Sequence, residues 1–435
     1  MAIDFENVKD LEKRFGKDGY SLIALLEDGF KLVNGYESVK NAIKIDENRL
    51  KIGNKIFLTD KYRKINVISV GYSANSMCRS VIDLLPDLIG NVLCISPFKE
   101  NIDIKNCEHI YVLESEWYTD KVISSAERIL EFLKNIMNKD EILLLLISSK
   151  ADKLADIPAD GLSMGTMKEI METLTTNGAP EDEINLIHRS LSKFYTELFR
   201  KYIDEEKTVA LVISNIPSGS ISLVSSGLTF NVNYSKDVII HLLKKYNYKK
   251  PELFLDKIIV NQTRKNITNT RITGLAELFI VLKEEFADSN VSYYPITSNY
   301  QDGASNVGSM VSAIINSSAA YGFPAKKPFV IAIGGNYTLN NGFKGKHGII
   351  VSTVISRLNI PEAHILSLST SGKDGYLNYG GILVNSSMFH KKENHLKLEN
   401  SIMDNRIDEL FEDLGCTIKL KSDLDIGDLT MIFVK

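Results

Sequence analysis

The chain has 435 residues and a mass of 48.7 kDa, with 44% hydrophobic and 24% charged side chains, enough for two or three domains with sizeable cores. Its 51 Lys and Arg against 55 Asp and Glu give a net charge of −4, which argues against nucleic acid as a partner. No apolar run approaches the roughly 18 residues of a spanning helix, and the opening Met-Ala-Ile-Asp-Phe-Glu lacks an apolar signal core. Cys78, Cys94, Cys107 and Cys416 form no Cys-x-x-Cys pair, so neither a disulfide framework nor a zinc site is indicated. A cytoplasmic protein with no membrane partner is the expectation.

In chain order, Ile65 to Val70 reads as a strand and Met77 to Leu85 as the helix after it, ending before Pro86. Asn91 to Ile95 is a second strand, Lys121 to Met137 an amphipathic helix and Ile142 to Ile147 a third strand. Ser163 to Leu174 is helical from a Ser cap, Glu181 to Tyr202 is a longer helix, Val209 to Ile213 a strand and Lys236 to Tyr246 a helix. This strand–helix rhythm is that of a doubly wound, largely parallel sheet. The polar stretch Asn261 to Thr273 reads as a linker or hinge. Lys257 to Val260 just before it and Val291 to Ile296 after it read as strands around a helix from about Gly274 to Phe286, and Asn306 to Ser317 as a helix. Phe329 to Ile333, Ile365 to Ser369, Gly381 to Val384 and Met431 to Val434 read as strands, and Ser401 to Leu414 as a helix capped by Gly415. The expected architecture is an α/β fold: a doubly wound domain over residues 1–250, then a second, smaller mixed α/β domain over 251–435.

In such folds ligands meet the loops at strand ends. Four loops stand out: Ser69-Val70-Gly71-Tyr72-Ser73, Ile147-Ser148-Ser149-Lys150-Ala151-Asp152, Ile333-Gly334-Gly335-Asn336-Tyr337-Thr338 and Ser369-Thr370-Ser371-Gly372-Lys373-Asp374-Gly375. Paired glycines let backbone N–H groups approach an anion, and serines beside a lysine at a helix approach hold phosphate. Each loop also reads simply as a turn. None matches the Walker or dinucleotide patterns, so the residues by themselves indicate an α/β protein with an anionic small-molecule ligand, and no cofactor is evident from them. His188 lies inside a helix and reads as structural. His347 sits in the basic glycine loop Phe343-Lys344-Gly345-Lys346-His347-Gly348, either solvated or facing a triphosphate. Trp117, Tyr293 and Tyr294 read as packing residues, and no Gly-x-Ser-x-Gly elbow or zinc spacing is present.

The order of several short motifs resembles the type-two glycerate 2-kinases, whose C-terminal part is the MOFRL domain. The carriers are Gly35-Tyr36-Glu37-Ser38-Val39-Lys40, Lys51-Ile52-Gly53, Val67 to Gly71, Pro158-Ala159-Asp160-Gly161-Leu162-Ser163 and Asn177-Gly178-Ala179. They continue with Glu183-Ile184-Asn185, Leu191-Ser192, Ser225-Ser226-Gly227-Leu228-Thr229, Gly334-Gly335-Asn336-Tyr337-Thr338, Gly372-Lys373-Asp374-Gly375 and Asp428-Leu429. The resemblance implies two α/β domains with the site in the cleft between them, a MOFRL-like region at about 325–435, and self-association. It implies transfer of a phosphoryl group from ATP, with Mg²⁺, to the 2-hydroxyl of D-glycerate, so a small organic acid and a nucleotide are the expected ligands. Such catalysis is mostly positioning and charge neutralisation.

The chain departs from the family at polar positions. The family's Gly-x-Gly-Lys-Ala loop becomes Gly71-Tyr72-Ser73-Ala74, with Ala74 at the lysine, and its Ser-Gly-Gly-Gly-Ser loop becomes Ser148-Ser149-Lys150-Ala151-Asp152. The Lys-Gly-Gly after the long helix is replaced around Phe194-Tyr195-Thr196-Glu197, and Gly-Gly-Glu-Thr becomes Gly334-Gly335-Asn336. Gly-Thr-Asp-Gly-x-Asp-Gly keeps only its second aspartate, Asp374. By the resemblance Asp374 is the candidate catalytic and metal-binding carboxylate. Lys150 is the candidate catalytic cation, and Ser148, Ser149, Gly334, Gly335, Asn336, Gly372, Gly375, Arg189 and Lys346 are candidate substrate or phosphate contacts. Three readings stay open: a phosphotransferase whose lost cations are supplied by Lys150, Arg189, Lys344 or Lys346, a catalytically silent paralogue that binds a small molecule or regulates a partner, and a different enzyme on the same scaffold.

Overall fold

The computed structural model describes residues 3–58, 64–100, 106–136, 140–217, 220–260, 265–287, 289–339 and 343–435. Two six-stranded sheets dominate. The first is wholly parallel, with strands in the order Thr268–Thr273, Thr208–Ile213, Ile142–Ile147, Ile65–Val70, Ile89–Ser96 and Cys107–Tyr111. Ile65–Val70, Ile142–Ile147 and Thr208–Ile213 are buried at every residue, because helices cover both faces. The chain leaves Ile65–Val70 toward one edge and returns at Ile142–Ile147 to fill the other, so these two neighbours form the switch point of a doubly wound sheet.

The second sheet is mixed. Its order is Ser292–Gly303, Phe329–Thr338, Asp428–Val434, His364–Ser369, Gly381–Asn385 and Thr417–Ile418, and only the first pair is parallel. A separate three-stranded antiparallel sheet, Ile43–Asp46, Arg49–Ile52 and Lys55–Leu58, packs Ile43, Leu50, Ile52 and Phe57 into the main core. The long N-terminal helix Val8–Val33 packs on Leu275–Glu285 and on the second sheet, and Asp4–Phe5 pairs with Leu420–Lys421. One apolar core therefore runs from Leu22, Leu26 and Phe30 through Leu144 and Val209 to Ile331, Ile365 and Ile432. A second fills the other face of the parallel sheet, around Ile68, Ile129, Leu145 and Phe199.

Several elements differ from their sequence reading for local reasons. The helix read over Glu181 to Tyr202 is α-helical only to Leu191. Ser192 then turns extended, bridges Pro158 and donates to Asp156, and the chain resumes as a π-helical turn at Phe194–Leu198 and a 3₁₀ turn at Phe199–Tyr202. The helix read over Ser401 to Leu414 is two, Lys392–Met403 and Ile407–Asp413, broken where Asn405 adopts φ 55°. Lys257 to Val260 form no strand. Residues 261–264 of the stretch read as a linker lie outside the described residues, whereas Thr268–Thr273 form the outer strand of the parallel sheet. Met137, read as the last residue of a helix, also lies outside them; that helix spans Asp120–Ile136.

Candidate functional site between the two sheets

At the switch point the two strand-end loops are bonded to each other. Ser148 Oγ accepts from the backbone N–H of Ser73 at 2.9 Å, and Ser149 O accepts from Tyr72 N–H at 2.9 Å. Gly71, at φ 127°, packs so closely that a Cβ there would lie 2.3 Å from Ser148 Oγ. The amide opening the helix Ala74–Leu84 is thus satisfied by a side chain rather than left open to an anion. The same loop ties to the second sheet's loops: Tyr72 Oη donates to Ser371 O at 3.1 Å and Ser73 Oγ to Asp423 O at 2.6 Å. Ser148 is fully buried, and Ser149 Oγ is buried with no hydrogen-bond partner among the described residues.

Beside this closed seam lies a cleft of about 530 Å³, lined by residues of both halves, among them Trp117, Lys150, Lys153, Glu181, Asn336 and Lys346. Lys150 sits in the left-handed region (φ 65°, ψ 10°), where the resembling family has glycine. Its Nζ lies 3.6 Å from Glu181 Oε1 and 3.7 Å from Asp425 Oδ2, held by charge beyond hydrogen-bond length. Burial works to lower its pKa, yet Glu181 and Asp425 outweigh this and raise it. Burial likewise pushes the Glu181 carboxyl up, but Lys150, Lys153 and Lys346 bring it below its ordinary value. Lys153 Nζ stands 4.9 Å over the Trp117 ring. Its pKa is lowered, first by burial and then by Lys150. Asn185, 2% exposed, lines the same cleft with Nδ2 unbonded among the described residues.

Lys346 enters from the opposite wall. Its Nζ donates to Asp428 Oδ2 at 2.7 Å, and the same oxygen accepts from Tyr337 N–H at 2.9 Å. Burial acts to raise the Asp428 pKa, but Lys346 and His347 drive it far below the ordinary carboxylate range. Asp374 has a task other than facing the cleft. It is fully buried, and its two carboxylate oxygens accept from the backbone N–H groups of Lys346 and His347 at 2.7 and 2.9 Å, capping the helix His347–Arg357. It is a positioning residue for Lys346. His347 is fully buried, with Nδ1 2.8 Å from Ser367 Oγ, rather than at the mouth of a phosphate loop.

Arg189 lies away from the cleft. It is 1% exposed and donates to the carbonyls of Ser226, Gly227 and Phe230 at 2.9, 2.5 and 2.9 Å. Burial brings its pKa down to about 10. Neighbouring His188 holds the same turn, with Nδ1 2.8 Å from Ser226 Oγ and Nε2 3.2 Å from Asp156 Oδ2. Gly334 and Gly335 lie within the strand Phe329–Thr338, where a Cβ on Gly335 would fall 1.8 Å from Tyr300 O; they serve strand packing. Gly372 abuts the backbone of Leu420, while Asn336 and Gly375 line the cleft. Of the sequence-derived site residues, Lys150, Lys346, Asn336 and Gly375 therefore meet in one cleft. Lys153, Glu181 and Asp425 were not singled out, Asn185 was noted only within a shared motif, and Trp117, read as packing, forms part of the cleft wall.

With Asp374 engaged as a helix cap, the residues present do not form the magnesium site that the resemblance implies. Among the described residues no cluster of three or more His, Cys, Asp or Glu side chains is arranged to hold a metal. Among them, too, no helix is long and apolar enough to cross a membrane.

Residues 21–255 match the family described as a domain of unknown function (DUF4147). The chain is 24% identical over 413 residues to a glycerate 2-kinase of Pyrococcus horikoshii, covering 90% of this chain and 92% of that protein. It is 22% identical over 331 residues to a D-glycerate 2-kinase of Thermotoga maritima, 74% of this chain and 79% of that one. Its fold superposes on the crystal structure of a glycerate kinase from Thermotoga maritima with a TM-score of 0.74 at 18% identity, over 96% of this chain and 99% of that chain. The mixed α/β architecture, the switch-point cleft and the match over more than half its length show that this chain belongs to the glycerate kinase family.

Proposed function

We propose that this chain binds a small organic anion, a hydroxy acid or its phosphate ester, in the cleft between its two sheets, and that the phosphate cradle of a kinase has been filled in. The carrying observation is the convergence of Lys150, Lys153 and Lys346 on one cleft, beside a switch point whose helix amide is bonded to Ser148. Lys150 stands more than 3.5 Å from both of its carboxylates, so an incoming carboxylate or phosphate gains a charge-assisted bond without breaking a short one. Asn185 Nδ2 supplies a donor in the same wall that is unbonded among the described residues. Thermal unfolding with D-glycerate and 2-phosphoglycerate tests this. A ligand at 100 times its Kd stabilises by about 2.7 kcal/mol, and unchanged melting at millimolar ligand contradicts the reading.

A second reading is the family reaction itself, ATP with Mg²⁺ phosphorylating D-glycerate. Similarity to named glycerate 2-kinases over nearly the whole chain favours it, and phosphoryl transfer rests mainly on charge neutralisation, for which three lysines are in place. Phosphorus NMR of protein, Mg²⁺, ATP and D-glycerate separates the two. Intact ATP agrees with the first reading, and 2-phosphoglycerate establishes the second.

A further inference from the structure

We propose that Lys153 is a nucleophilic amine that condenses with the carbonyl of a small 2-oxo acid to form an imine in the cleft. This rests on the reading of the cleft as a site for small organic anions and adds to it a reaction and a substrate class.

The three lysines of the cleft are not equivalent. Lys346 is bonded to Asp428 at 2.7 Å, and Lys150 lies between Glu181 and Asp425, so both are kept as cations. No carboxylate oxygen lies within 4 Å of Lys153 Nζ among the described residues; its neighbour is the face of Trp117, at 4.9 Å. Lys153 follows Lys150 in a single 3₁₀ turn, with its N–H bonded to Lys150 O at 3.0 Å, and the Lys150 charge acts on its amine. Burial in the cleft wall and the neighbouring Lys150 cation disfavour its protonated form and outweigh the attraction of the Trp117 face, as in amine nucleophiles generally. Glu181, Asp152 and Asp425 oppose this without reversing it. The division of labour follows from charge: Lys150 and Lys346 attract the carboxylate of the acid, and Lys153 meets its carbonyl carbon.

The step is balanced within the site. The Lys153 nitrogen lone pair attacks the carbonyl carbon, giving a carbinolamine after proton transfer from nitrogen to oxygen. The carbon–oxygen bond then breaks, the hydroxyl leaves as water, and the nitrogen loses its remaining proton as the carbon–nitrogen double bond forms. One imine and one water result, with no oxidant or reductant.

The test is reductive trapping of the full-length protein with pyruvate or glyoxylate and cyanoborohydride, followed by peptide mass mapping. D-glycerate binding, which needs no carbonyl, is measured by calorimetry on the same preparation. The expected result is one saturable adduct on the peptide containing Lys153, lost in both Lys153→Arg and Lys153→Met and retained in the surface control Lys134→Arg, with circular dichroism showing each variant folded. Adducts spread over surface lysines, or unchanged in either folded Lys153 variant, overturn the proposal. Binding of D-glycerate with no adduct overturns it while leaving the anion site standing. An adduct at Lys153 without D-glycerate binding upholds the imine and contradicts the reading of the cleft as a hydroxy-acid site. Absence of both overturns both.

Discussion

At the scale of single residues, Asp428 organises one wall of the cleft, because one carboxylate fixes both the Lys346 ammonium and the Tyr337 amide. Removing its charge strands a half-buried cation, so Asp428→Asn is expected to lower unfolding stability by about 3–5 kcal/mol in a denaturant titration. The pH dependence follows from the sign of its shift. A carboxyl whose folded pKa is depressed below its ordinary 3.8 adds stability that is fully present above that value and is lost as pH falls through the folded one. Acid titration of the wild type should therefore show a loss of stability below about pH 4 that is reduced in Asp428→Asn. Lys150 was legible in the sequence as a lysine beside serines at a strand end, and Lys346 as a lysine of a basic glycine loop. Asp428 was legible only as a motif shared with a family. Lys153, Glu181 and Asp425 were not, because their meaning depends on proximity between distant segments, and Glu181 reads as an ordinary first-turn helix acid.

At the scale of elements, two charged side chains hold backbone in place. Asp374 caps the helix that begins at His347, and Asp374→Ala leaves two amides without acceptors. The expected cost is about 2 kcal/mol or more by urea unfolding, with weaker ligand binding as Lys346 loses its register. Arg189 closes the Ser225–Phe230 turn through three carbonyls, so Arg189→Met should destabilise by about 3 kcal/mol while leaving the affinity of the folded protein for an organic acid unchanged. A fall in that affinity with the fold intact would return Arg189 to the binding machinery. Elements with uniform apolar runs were readable to the residue: Ile65–Val70 and Ile142–Ile147 are strands over the spans their composition indicates. Thr268–Thr273 was read as a linker because a polar sheet edge carries no apolar run. The break at Ser192 was hidden because it depends on Asp156, which arrives from another segment.

At the scale of the molecule, the two sheets are tied across the cleft by Tyr72 to Ser371 and Ser73 to Asp423, and by the ion pair of Lys373 with Glu114. The double variant Tyr72→Phe, Ser73→Ala deletes two neutral hydrogen bonds and should cost about 1–3 kcal/mol. Hydrogen exchange should quicken in the 420–427 segment first, since that segment holds one end of the seam. The order of strands and helices showed the doubly wound architecture in advance. The seam was not visible in advance, because serine and tyrosine in a strand-end loop carry no sign of what they meet.

The central claim is that cleft lysines hold a small organic anion, and calorimetric titration of 2-phosphoglycerate into the wild type and Lys150→Gln tests it most directly. The account predicts saturable one-site binding that weakens tenfold to about a hundredfold in the variant, the loss of one charge-assisted bond of about 1.5–3 kcal/mol. Equal binding by the two proteins, or no heat in either, would contradict it.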